Sequence, residues 1–115
     1  MIDLNAGLSL FSAAVATGTG LRVTTDPAKV IPPIIFVDLP TVTGRTMAGV
    51  TLSVPVYLVA EGSGDQIAGA YLLDHLPDLL NSTATVDASP RPLEIAGQHW
   101  PAYYVQSTLT IKDTP

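Results

Sequence analysis

The stretch Val50 to Ala60, VTLSVPVYLVA, sets Val50, Leu52, Val54, Val56 and Leu58 in alternation with Thr51, Ser53, Pro55 and Tyr57. Successive side chains of a strand point to opposite faces, so the pattern predicts a long extended segment with one buried face. Such a strand cannot cover that face alone. It requires partner strands and a covering layer, which excludes an all-helical fold. Pro55 has no amide hydrogen to give a ladder and predicts a bulge or a free edge where it stands.

Two segments supply the covering layer. Near the start, Asp3 or Asn5 caps a helix in which Leu4, Leu8, Phe11 and Val15 share a face, with an end near Gly18 to Gly20. Its other face, Ala6, Ser9, Leu10, Ala13 and Ala16, carries no charge. A helix with one wet side normally does, so a second packing partner is expected there. The later stretch EGSGDQIAGAYLLDHLPDLLNST is the main helix. Ser63 and Gln66 have capping-box spacing, and Asp65 suits the positive end of the helix dipole. Gly69, Leu72, Leu73, Leu76, Leu79 and Leu80 form the expected core stripe, with Ile67, Tyr71, Asp74, His75 and Asp78 opposite. Pro77 predicts a kink or a break.

The remainder reads as extended. Leu21 to Thr24 is a short piece, Ile34 to Val37 a buried strand fenced by prolines, and Thr41 to Gly49 a loop or hairpin tip. Ala84 to Ala88 and Leu93 to Ile95 follow, then a turn at Gly97 with His99 at its surface and Trp100 anchoring it to the core. Tyr103 to Ile111 closes the chain, with Tyr103, Val105, Leu109 and Ile111 on one face and Tyr104, Gln106, Thr108 and Thr110 on the other. This order predicts an α+β fold, one mostly antiparallel sheet with two helices packed against it. A length of 115 residues fits one domain, 1–115.

Composition narrows the function. Without cysteine, disulfides and thiolate metal sites are excluded. Five Lys and Arg against ten Asp and Glu give a net charge of −5, the wrong sign for a groove that grips phosphates. Only 13% of residues are charged, against about 25% in typical domains. So thin a charged coat suits a subunit covered by others. The start, Met1-Ile2-Asp3, lacks the positive charge of an export signal, and Leu4 to Leu21 is too polar for a spanning helix. A soluble, intracellular protein is the expectation.

The chemical motifs fall short one by one. Gly62-Ser63-Gly64 sits where a phosphate cradle would, but it lacks a third glycine or the Lys of a P-loop, and Glu61 and Asp65 would repel phosphate. Ser63 stands in E-G-S-G-D rather than in a nucleophile elbow, with only His75 and His99 available as bases. His75, beside Asp74 and Asp78, has no second histidine at ligand spacing. No catalytic residue, cofactor or metal is therefore assigned. A small ligand-binding or hydrolytic domain using Ser63, His75 and His99 is the alternative from another class.

Taken together, the first helix, the PPIIFV and LSVPVYLVAEG strands, the AGAYLLDHLPDLL helix and the closing GQHWPAYYVQSTLTI strand resemble the tail terminator proteins of long-tailed phages, particularly those of actinobacteria. The resemblance covers nearly the whole chain and rests on an order of elements rather than a strict motif. It implies a non-enzymatic virion protein, assembled in the host cytoplasm. Its subunits would form a ring, usually hexameric, that caps the tail tube and joins it to the head connector while DNA passes through without specific binding. Implied partners are other copies of the chain, the tail tube protein and a connector or stopper protein, with no membrane. A stopper or adaptor ring of the neck is the nearest alternative. From the chain itself, Ile67, Tyr71, Asp74 and Asp78, or Leu10 and Ala13 on the back of the first helix, are the candidate subunit interface. The loop residues Thr43, Gly44, Arg45, Thr46 and Met47 are the candidate contact with tube or connector.

Overall fold

The computed structural model describes residues 3–61, 66–95 and 97–112. Its centre is the alternating strand, β4 (Gly49–Val59), paired antiparallel along its whole length with the closing strand β8 (Ala102–Lys112). Two strands lie end to end along the other side of β4. Strand β2 (Ile34–Val37) pairs with Val56 to Val59, and β3 (Thr41–Thr46) with Gly49 to Ser53. Strand β1 (Val23–Thr24) joins β2 in parallel, and β5 (Thr85–Pro90) pairs antiparallel with β8. The sheet order is β1-β2-β4-β8-β5 with β3 also on β4, so the sheet is antiparallel everywhere except at β1. The fold is α+β, as the order of elements predicts.

Pro55 explains the division between β2 and β3. It falls between their two ladders, and its carbonyl accepts the Asp38 N–H at 2.9 Å from the connecting segment. The N–H and C=O of a strand residue point to the same side, so the donor that proline lacks would have faced this gap. A locally free edge is thus what Pro55 marks, and β4 keeps its register with β8 there.

Both helices cover one face of the sheet. Helix α1 (Leu4–Thr19) is capped by Asp3, whose carboxylate accepts the Ala6 N–H at 3.0 Å, and it ends at Gly20 with φ 69°. That left-handed angle is the ordinary helix C-cap of glycine. Phe11 and Val15 of α1, with Ala68, Leu72, Leu76 and Leu79 of α2 (Gln66–Ser82), pack on the even-numbered residues of β4 and on Val105. Each fully buried Val or Leu contributes about 1.5–3 kcal/mol, so this contact dominates the stability. Val54, Val56 and Leu58 are wholly enclosed.

The α2 stripe differs from the sequence expectation. Leu73 is 64% exposed, whereas Tyr71 is half-buried against the core. The stripe is centred on Ala68, Leu72, Leu76 and Leu79; Leu73 lies about 100° round from Leu72 and rotates out, while Tyr71 on the other flank rotates in. Nor does Pro77 break the helix, which runs on to Ser82. The carbonyl that Pro77 leaves without its helical donor belongs to Leu73, a residue on the exposed side of the helix. Ser63 of the expected capping box, like the Gly62-Ser63-Gly64 turn, lies outside the described residues.

The Thr41 to Gly49 stretch is strand β3, a two-residue turn at Met47-Ala48 and the first residue of β4 rather than a loop. Every residue from Thr41 to Ala48 is exposed, so no apolar alternation betrays the strand. His99 also moves from turn to strand: β6 (Leu93–Ile95) and β7 (Gln98–Trp100) form a small separate hairpin, with Gly97 at φ 80°. That hairpin closes the second face of the sheet at one end, where Leu93 is buried with Val30, Ile34, Phe36, Val59 and Ala102, and Trp100 packs on them half-buried. Trp100 is therefore the anchor that the sequence predicts.

Candidate subunit-contact surfaces

Three surfaces result from this framework. The first is the outer side of α1. Leu10 is 73% exposed, and Ala13 and Ala14 beside it are exposed too. No charged residue occurs within the helix. A groove of about 430 Å³ runs between this side and the end of β8, floored by Gly7, Phe11, Ala14 and Ile111. Gly7 lets the helix approach the strand, since a Cβ there would run into the Ile111 side chain.

The second surface is the outer side of α2. Asp74, Asp78 and Pro77 are exposed there with Leu73. Spacing of four residues places Leu73 over Pro77 and Asp74 over Asp78, giving an apolar ridge beside an acidic one. Tyr71 does not belong to it. Its ring lies 4.4 Å from that of His75, and its hydroxyl is buried without a hydrogen-bond partner among the described residues. Burial pushes the Tyr71 hydroxyl pKa upward. The side chain of Ile67 lies outside the described residues.

The third is the arm formed by β3 and its turn. Thr43, Gly44, Arg45, Thr46 and Met47 are all exposed, with Met47 at 101%. A register shift between Val42 and Gly44 makes Thr43 the extra residue, and its hydroxyl donates to the Thr51 carbonyl at 3.2 Å. The guanidinium of Arg45 makes no hydrogen bond or ion pair among the described residues. By contrast, Arg22 donates to the Ile31 carbonyl at 3.0 Å, and Arg91 lies 4.5 Å over the Tyr104 ring.

Leu73, Val42 and Leu39 are contact candidates that sequence reasoning passed over. Leu73 was hidden by its likeness to the core leucines, and Val42 by a bulge that has no sequence signature. Leu39, 81% exposed between two strands, stands beside Pro40, and an exposed Leu next to a Pro was the available signal.

His75 and His99, the candidate bases of the hydrolytic alternative, do not line one groove. His75 rests on Tyr71 in α2, while His99 lies on β7, 3.7 Å from Glu94 in a pair exposed on both sides. The groove that includes His99, about 480 Å³, is lined by Leu72, Arg91, Trp100 and prolines 90, 92 and 101, and His75 is not among its residues. Ser63 lies outside the described residues. No group of three or more His, Asp or Glu suited to a metal occurs among the described residues. No helix there is long and apolar enough to cross a membrane. Neither a scan against protein-family models nor a comparison with curated proteins finds a match for the chain.

Proposed function

We propose that the chain is a structural subunit of a phage tail of the terminator kind. Copies close into a ring, hexameric by the pattern of the family that the chain resembles. The ring caps the tail tube and joins it to the head connector. The observation that carries this reading is the grouping of exposed large apolar side chains. Leu10 lies on the back of α1, Leu73 on the back of α2, and Val42 and Met47 on the arm. Apolar groups of this size on the backs of both helices and on the arm fit a subunit covered by neighbours.

Charge supports the same reading. A net charge of −5 per copy gives DNA no reason to stick in a lumen through which it must slide. Catalysis, cofactors and membranes have no part in this function, and its partners are further copies, the tube protein and the connector. Immunogold labelling of virions against this chain is expected to mark the head-tail joint on the tail side. Label at the distal tail tip or over the capsid shell would overturn the reading, and a ring on the capsid side of the joint would select a stopper instead.

A further inference from the structure

We infer that the β3 arm of one copy docks on the outer side of α2 of the next, with Arg45 set against Asp74 and Asp78 and with Val42 and Met47 set against Leu73 and Pro77. This contact deepens the ring reading and supplies its joint. The arm presents one cation, unpaired among the described residues, between two exposed apolar side chains, and α2 presents two carboxylates beside an apolar ridge. Sign and character are complementary on both counts.

Within one chain the two surfaces do not pair: β3 lies along one edge of β4, α2 leads into β5 beyond β8 on the other, and Arg45 makes no ion pair with Asp74 or Asp78 among the described residues. The molecule is elongated, 49 Å by 28 Å by 21 Å, with the arm at the Gly49 end of the long strand pair. An arm on one side and its receptor on another make the contact heterologous, each copy giving an arm and receiving one. Such contacts propagate head to tail and close into a ring when the rotation allows.

The same observation disfavours a two-fold dimer through like surfaces. Arm against arm would bring Arg45 to Arg45, and α2 against α2 would gather four carboxylates without a cation. Only the unlike pairing matches charges on both sides.

The test is self-association of the full chain by analytical ultracentrifugation, using Arg45→Glu, the double variant Asp74→Arg/Asp78→Arg, and the two combined. Each set of reversals is expected to weaken assembly at least about tenfold, and the combined variant to restore it. Mixing Arg45→Glu with Asp74→Arg/Asp78→Arg makes contacts between like chains repulsive and both contacts between unlike chains attractive, one reversed and one native, so the mixture is expected to assemble one-to-one into rings of alternating subunits. All these positions are exposed, and circular dichroism verifies that the variants fold. Rings that form unchanged in Arg45→Glu, a combined variant that stays apart, or a wild-type chain that remains monomeric up to about 1 mM would each overturn the inference. Unchanged rings would leave the terminator reading standing with another joint, whereas rings of the inferred kind found away from the head-tail joint would remove that reading and leave the contact.

Discussion

Val42 and Arg45 stand three positions apart on β3 and yet share one face of the sheet. Val42 is opposite Leu52 and Arg45 opposite Val50, and both partners point to the helix side. In a regular strand, residues three apart face opposite ways; the bulge at Thr43 adds the one residue that aligns them. The arm therefore has one side that is both apolar and basic. Its side chains are exposed, so Arg45→Glu and Met47→Ser should each leave unfolding free energy within about 0.5 kcal/mol of wild type. Urea denaturation checks this, and a loss beyond about 1 kcal/mol would show that the arm supports the core.

Glycines at two sites should respond with opposite sign. A Cβ at Gly49 would press on the Ile111 carbonyl and the Lys112 Cα, backbone atoms that cannot turn aside. Gly49→Ala should cost about 1–3 kcal/mol. Gly69 lies exposed in α2 with nothing near a Cβ, so Gly69→Ala should stabilise by about 0.5–1 kcal/mol. Thermal unfolding of the pair decides, and equal shifts would contradict the packing at Gly49.

Ser107 is fully enclosed between Val54 and Thr85, and its hydroxyl has no partner among the described residues. A buried hydroxyl without a hydrogen bond is a cost, about 1–3 kcal/mol before packing is counted. Ser107→Ala should therefore be neutral or stabilising, unlike most core substitutions. A loss above about 1 kcal/mol in denaturant titration would mean that the hydroxyl is bonded in solution.

The raised pKa of Tyr71 fixes a sign at high pH. Below about pH 10 the hydroxyl is neutral in both folded and unfolded chains. Above it the unfolded chain ionises first, so this residue's contribution is lost as pH rises through that value toward the higher folded one. Tyr71→Phe lacks the group and should gain on wild type between about pH 8 and pH 11. A stability difference that stays constant over that range would contradict the assignment.

How much of this was legible depended on burial. Where a face meets the core, as at Val54, Val56 and Val105, the residue alternation displays the strand and its orientation. Helix α1 announced both ends to within two residues, through Asp3 or Asn5 and through Gly18 to Gly20, and the structure selects Asp3 and Gly20. The arm was opaque for the opposite reason: an edge strand whose side chains all meet water has no pattern to obey, and its bulge is set by the ladder with β4. Leu73 and Tyr71 exchanged roles because they flank the stripe of Ala68, Leu72, Leu76 and Leu79 on opposite sides, and only tertiary packing decides which flank turns inward. The spacing of Asp74 and Asp78 left a wet face and a contact surface equally open, and the structure shows both carboxylates exposed. That the arm could meet the pair required knowing where both lie.

Tail tubes assembled with and without the purified chain, imaged by electron cryomicroscopy, test the central claim most directly. The account predicts one ring of these subunits at a single end of every tube, with tube growth stopped at that end. Bare tube ends at saturating chain, with tubes that continue to lengthen, would contradict it.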